Sequence, residues 1–302
     1  MALWNRRITK IGLALGGGGA RGLAHVGVLK ILEENHIPID IICGTSMGAV
    51  VGAMYAYDPD ASKVEKILRD YYSVHGIKGS WLEFLAREKE KHKSNLFKEM
   101  SNYVQKRYMG LAALSKIGLE DEKTLREPLE DLLPDDKIEN MKIPFGATAI
   151  NLSSANDVLI RGGSIIDAVY ASSSIQGIFP PLLKNDEYYS DGGPTTNVPV
   201  EECFRMDADF VIGVYLPVVL EPVERFHNGL EVILRADTIA VMKLGKLLTR
   251  FADVSIVPDV GHIHWSAFNK FDECYEAGRT AALDMIGNIK NTISSYESKN
   301  KW

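Results

Sequence analysis

The sequence predicts an α/β fold on a mostly parallel sheet, interrupted by a helical insertion. Three observations carry that expectation. Short apolar runs alternate with segments of helical period. Two glycine turns each follow such a run and open such a segment. A charged, helix-forming block over 60–135 separates two α/β stretches. Alternation of this kind builds parallel strands joined by right-handed crossovers.

The elements follow in order. Residues 8–15 form a strand that runs into Gly16-Gly17-Gly18-Gly19-Ala20-Arg21-Gly22. Leu23, Val26, Leu29 and Leu32 then recur at three-residue steps, and Pro38 stops that helix. Residues 39–43 are a second strand ending at Gly44, and 49–57 are small and apolar enough for a buried helix. Beyond the insertion, 143–150 and 158–161 read as strands and 164–171 as a short helix. Residues 181–183 and 188–190 flank a hairpin turn, 210–216 are an apolar strand, 229–251 a long helix and 254–257 a last strand. No repeat and no linker divides the chain, so one domain over 1–302 is expected.

Composition excludes several classes. The chain has 302 residues, 34 Lys+Arg against 40 Asp+Glu and a formal charge of −6. That balance excludes a broad nucleic-acid-binding surface. Cys43, Cys203 and Cys274 are too few and too scattered for a disulfide framework or a zinc site. They point to a reducing, cytoplasmic setting. No run approaches the roughly 18 apolar residues of a spanning helix. Arg6, Arg7 and Lys10 precede an apolar run too short for a signal peptide, and five of the seven residues after it are glycine.

The first glycine turn, from Gly17 to Gly22, fits the dinucleotide fingerprint, which also needs an acid at the end of the second strand. Asp40 stands at the start of that strand instead. The second turn, Gly44-Thr45-Ser46-Met47-Gly48, is a G-x-S-x-G in the strand-to-helix setting that presents a nucleophilic serine. Its plain alternative is a serine helix cap. The two turns complement each other: a serine attacking a carbonyl needs oxyanion donors, and a run of glycines exposes backbone N–H groups.

A serine nucleophile needs a base. His262 and His264 come late enough to complete a Ser–Asp–His triad; His75, His92 and His227 lie in charged or loop segments. The other candidate is Asp191, in Ser190-Asp191-Gly192-Gly193. A plain Asp-Gly turn is its bland reading, and as a base it needs a sheltered site that raises its pKa. Ser172, Ser173 and Ser174 read as hydrogen-bonding loop or cap residues. His25 reads as structural, on the polar or interfacial side of the first helix.

Together these segments resemble the patatin-like phospholipases, specifically the compact bacterial members. LALGGGGARGLAH at 13–25 is similar to the family's oxyanion loop, ICGTSMGA at 42–49 to its nucleophile turn and Asp191-Gly192-Gly193 to its aspartate motif. ASSSIQGIFPP at 171–181 and NVPV at 197–200 support them, and the resemblance covers about 10–215. It implies a single three-layer α/β/α domain and a metal-free, cofactor-free hydrolase of lipid acyl esters acting through an acyl-enzyme. It implies Ser46 as nucleophile, Asp191 as base, and oxyanion donors at Gly17, Gly18 and Gly19. Gly44 and Gly48 shape the nucleophile turn, and Arg21 keeps the glycine loop in shape or adds charge. Two departures flank the site: Gln176 where the family has proline, and Pro194-Thr195-Thr196 where it has an apolar residue then asparagine.

The insertion joins Trp81, Phe84 and Leu85 to Lys89, Lys91, Lys93 and Lys98, with Glu83, Glu88, Glu90 and Glu99 interspersed. Residues 81–107 are either a solvated helix or a lid touching lipid peripherally at the inner membrane face. Two other functional classes stay open: a nucleotide-binding oxidoreductase, and a binding protein that keeps the fold with little turnover.

Overall fold

The computed structural model describes residues 9–75 and 116–299. The charged run at 81–107 lies outside them. Eight strands form one mostly parallel sheet: β1 (Ile11–Leu15), β2 (Ile41–Gly44), β3 (Phe145–Asn151), β4 (Asn156–Ile160), β5 (Leu182–Lys184), β6 (Glu187–Asp191), β7 (Phe210–Val214) and β8 (Val254–Ile256). The order is β5-β6-β3-β2-β1-β7-β8, with β4 paired to β3. The pairs β1–β2, β1–β7, β2–β3 and β7–β8 are parallel.

The described helices are α1 (Ala24–Glu34), α2 (Met47–Tyr57), α3 (Ala61–His75), α4 (Glu122–Leu132), α5 (Ile165–Ser173), α6 (Val200–Arg205), α7 (Gly229–Leu248) and α8 (Phe271–Lys299). Strand alternation divides the core unequally. Ile11, Leu13 and Leu15 of β1, with Phe210, Ile212 and Val214 of β7, face a thick layer built on α1, α2, α5 and α8. Ala14, Ile41, Cys43 and Val211 face a thinner layer with Val200 and Cys203 of α6. Both faces of the central strands are therefore covered, as parallel strands require. The three cysteines are buried and unpaired.

The sequence reading lacks helices α6 and α8, of which α8 is the larger omission. Its inward positions include Cys274, Gly278 and Ala282, small residues that weaken a periodic apolar signal. Their smallness has a packing purpose. A Cβ at Gly278 would run into the Ala24 carbonyl, so glycine lets α8 cross tightly over α1.

The topology brings two distant strand ends together. Ala147 of β3 pairs with Gly44 on one side and Ile160 on the other, while Ala149 pairs with Asp191 and Val158. Strand β4 holds one edge of β3, so β2 and β6 share the other edge and approach end to end. Gly44 and Asp191 are two residues apart along β3, roughly 7 Å at strand rise.

Candidate functional site

The nucleophile turn forms where β2 meets α2. Ser46 has φ 54° and ψ −124°, a positive φ that is uncommon for serine and held only by surrounding structure. A Cβ at Gly48 would run into the Leu15 carbonyl oxygen, so the turn can lie this close to β1 only with glycine there. The Ser46 N–H donates to Ser172 Oγ at 3.0 Å, and Thr45 Oγ1 donates to the Thr196 carbonyl at 2.7 Å. Helix α2 starts at the next residue and points its positive end at the serine.

Asp191 ends β6. Its carboxylate accepts the Gly193 N–H at 2.7 Å, and the Ser46 hydroxyl lies near enough to favour its ionised form as well. The residue is 4% exposed, and burial pushes its carboxyl up to about 6 against the pull of those two donors. The surrounding chain clamps its backbone. Its N–H donates to the Ser174 carbonyl at 3.1 Å, and its carbonyl accepts Gln176 Nε2 at 2.7 Å. Gln176 thus brings to Asp191 a side-chain donor that proline lacks. Pro194-Thr195-Thr196 belongs to the bracing: Thr196 N–H donates to the Gly192 carbonyl at 2.8 Å while its own carbonyl receives Thr45.

The glycine loop presents fewer amides than its sequence offers. Gly16 N–H donates to Val214 O at 3.0 Å, and Gly17 N–H to Asn197 O at 2.9 Å. Ala20 N–H is taken by Trp265 O at 2.6 Å. Among the described residues, the amides of Gly18 and Gly19 have no such partner, and Gly19 lines the same pocket as Ser46. Arg21 Nε donates to the Gly18 carbonyl at 3.1 Å. In a trans peptide this carbonyl and the Gly19 N–H point opposite ways, so anchoring one aims the other. Arg21 is buried, which lowers its pKa to about 10, and its contacts are those of a loop brace.

His25 is fully buried, deeper than the polar or interfacial position read from the sequence. Its Nε2 lies 2.7 Å from the Gly16 carbonyl, and burial lowers its pKa to about 4. The neutral ring donates through Nε2 and fixes the first peptide of the loop.

Other sequence candidates lie elsewhere. His262 pairs with Glu273 at 2.7 Å on the surface, and His264 Nδ1 lies 2.7 Å from Ser266 Oγ. Asp40 accepts the Ile11 N–H at 2.7 Å, at the opposite end of β1 from the glycine loop. No three His, Cys, Asp or Glu side chains among the described residues cluster as a metal site would require.

Ser46 opens into an apolar pocket walled by Tyr71 and Tyr72 of α3, Leu125 and Leu129 of α4, Phe179 and Phe268. Sequence reasoning assigned α3 and α4 to the insertion without placing them at the site. The Tyr71-Tyr72 pair was the available signal, but its direction depends on packing. Ser173 adds to this mostly apolar wall a buried hydroxyl with no partner among the described residues.

Comparison with known proteins gives the family. The profile of patatin-like phospholipases matches residues 13–204, which contain both glycine turns and the aspartate. The chain belongs to the patatin-like phospholipase family. Lysophospholipase NTE1 of Kluyveromyces lactis is 27% identical over 96% of the chain, and lysophospholipase nte1 of Aspergillus fumigatus is 31% identical over 68% of it. Human patatin-like phospholipase domain-containing protein 6 is 26% identical over 89% of the chain. The chain spans only 21%, 12% and 20% of those three relatives. Among solved structures, VipD from Legionella pneumophila shares the fold, with a TM-score of 0.50 at 13% identity; the match covers 93% of this chain and 67% of that one.

Proposed function

We propose that this patatin-like protein is a serine acylhydrolase of lipid esters working through a Ser46–Asp191 dyad. The observation that carries the reading is the Asp191 carboxyl, buried beside the Ser46 side chain and pushed up to about 6 by that burial. A carboxylate of ordinary pKa is a weak base at neutral pH; raising it improves proton transfer while leaving it mostly ionised at pH 7.

In the proposed reaction Asp191 takes the Ser46 proton as Oγ attacks the ester carbonyl. The carbonyl oxygen becomes an oxyanion that the Gly18 and Gly19 N–H groups receive. Each such donor contributes about 10²–10³ in rate. The tetrahedral intermediate collapses to an acyl-enzyme, and the leaving alcohol takes the proton from Asp191. Water then attacks the acyl group, Asp191 again accepts the proton, and the free acid departs while Ser46 is reprotonated. Gly17 is left out of the donor set because its N–H is already given to Asn197. The apolar wall from α3 and α4 suits an acyl chain, and lysophospholipids are the favoured substrate class because relatives of this chain bear the name lysophospholipase.

A fluorophosphonate probe together with a lysophospholipid hydrolysis assay tests the reading. Wild type should be labelled and active, Ser46→Ala should be neither, and Asp191→Asn should lose hydrolysis. Full activity in Asp191→Asn with a dead His262→Ala or His264→Ala would replace the dyad by a triad.

A further inference from the structure

The strongest feature outside the pocket is a helix with its apolar face turned outward. Seventeen large hydrophobic residues of the described chain are exposed, and nine of them fall between 219 and 251: Val219, Val223 and Phe226 in the loop before α7, then Val232, Ile233, Leu234, Ile239, Leu247 and Phe251. Exposed apolar surface concentrated in this way marks an interaction site.

At 100° per residue, the outward arc of α7 and its last turn carries Val232, Ile233, Ile239, Leu247 and Phe251 within about 140°. The charged residues on that same arc are Lys243, Lys246 and Arg250, all exposed. The helix's two acids, Glu231 and Asp237, fall off it. The inward side carries the buried Gly245 and Thr249. Tyr215 Oη donates to the Met242 carbonyl at 3.3 Å, and Gly245 packs on Asn197, whose carbonyl holds the Gly17 amide. The helix is therefore rooted beside the glycine loop, at the edge of the sheet where Ser46 sits.

We infer that α7 and its flanking loop dock the protein on a lipid surface bearing anionic headgroups. An apolar face interleaved with cations matches the boundary between acyl chains and phosphates. A second copy of the chain fits less well. A two-fold contact sets the same patch against itself, and counting Glu221, Glu224 and Arg225 of the flanking loop with Lys243, Lys246 and Arg250 leaves four cations against two acids, an excess that would face its own copy. The choice of a lipid surface rests on the proposed lipid-ester activity; the patch itself does not.

The experiment uses the full chain and two double variants, Ile233→Asp/Leu247→Asp and Lys243→Glu/Lys246→Glu. Three readouts are taken: flotation with phosphatidylcholine vesicles, with or without about one-third phosphatidylglycerol; turnover of a soluble four-carbon nitrophenyl ester; and mass in solution. Wild type should bind the anionic vesicles about ten-fold better than the neutral ones. The apolar variant should lose binding to both by about ten-fold. The charge variant should lose the preference for anionic vesicles, and ester turnover should stay within two-fold in both. Equal flotation of all three proteins overturns the inference. So does a wild-type dimer that the variants dissociate while vesicle binding is unchanged. If no form turns over the ester while flotation follows the expected pattern, the docking surface stands and the acylhydrolase reading falls.

Discussion

Replacing Asp191 by asparagine should kill the enzyme and stabilise the fold. Asparagine keeps the shape of the side chain and still offers an oxygen to the Gly193 N–H, which the aspartate now accepts at 2.7 Å. What it removes is a buried charge. The Asp191 carboxyl rises from 3.8 in the unfolded chain to about 6 in the fold, with burial as the main cause. At 1.36 kcal/mol per decade, this disfavours the ionised folded state by about 3 kcal/mol. The sign follows from proton binding. Below about pH 3 both states are protonated and the penalty is absent; it grows as pH rises and is complete above about pH 7. Asp191→Asn should therefore exceed wild type in stability by about 3 kcal/mol at pH 8 and by about 1 kcal/mol at pH 4.5. Urea unfolding at the two pH values measures this, and the difference of about 2 kcal/mol between them is the diagnostic part because any pH-independent effect of the substitution cancels. In parallel, wild-type kcat/KM on a soluble ester should climb through about pH 6 and level off above it, while the variant stays inactive. A stability gap that is the same at both pH values, or that shrinks as pH rises, would refute the claim that Asp191 is held as a strained buried base.

Three further outcomes follow from the same geometry. Ser46→Gly should be more stable than Ser46→Ala by about 1 kcal/mol in thermal or urea melts, because only glycine accepts φ 54° without strain. Gly48→Ala should cost at least about 3 kcal/mol or abolish soluble expression, since its Cβ meets the Leu15 carbonyl rather than a movable side chain. Leu125→Trp should shrink the acyl pocket and lower kcat/KM for a long-chain ester about ten-fold more than for a four-carbon ester; equal losses on both would place the acyl chain elsewhere.

Much of the site was legible because its parts are local. A strand that ends in glycines and turns into a helix is specified within a few residues, so the glycine loop and the turn around Ser46 could be read directly, whereas Asp191 reads locally as a plain Asp-Gly turn and stands out only through the family resemblance. The parallel sheet was legible for the same reason: its strands are short apolar runs with clear stops. Helix α8 was not, because the glycine and alanine that let it cross α1 closely are the residues that blur an apolar period. The cationic run at 81–107 stays a sequence feature, since it lies outside the described residues, whereas the apolar face of α7 appears only when exposure is known.

By itself, then, the sequence determined the fold class, the family and the residues available for chemistry. Tertiary structure decided how they stand to one another. Strands β2 and β6 meet on one edge of β3, which sets Asp191 beside Ser46 across 145 positions of chain. The Asn197 carbonyl takes the Gly17 amide and leaves Gly18 and Gly19 free among the described residues. Burial lifts the Asp191 carboxyl to about 6. Each of these is a competition for a hydrogen bond or for water, settled by groups far away in the chain, and no spacing along the sequence records it.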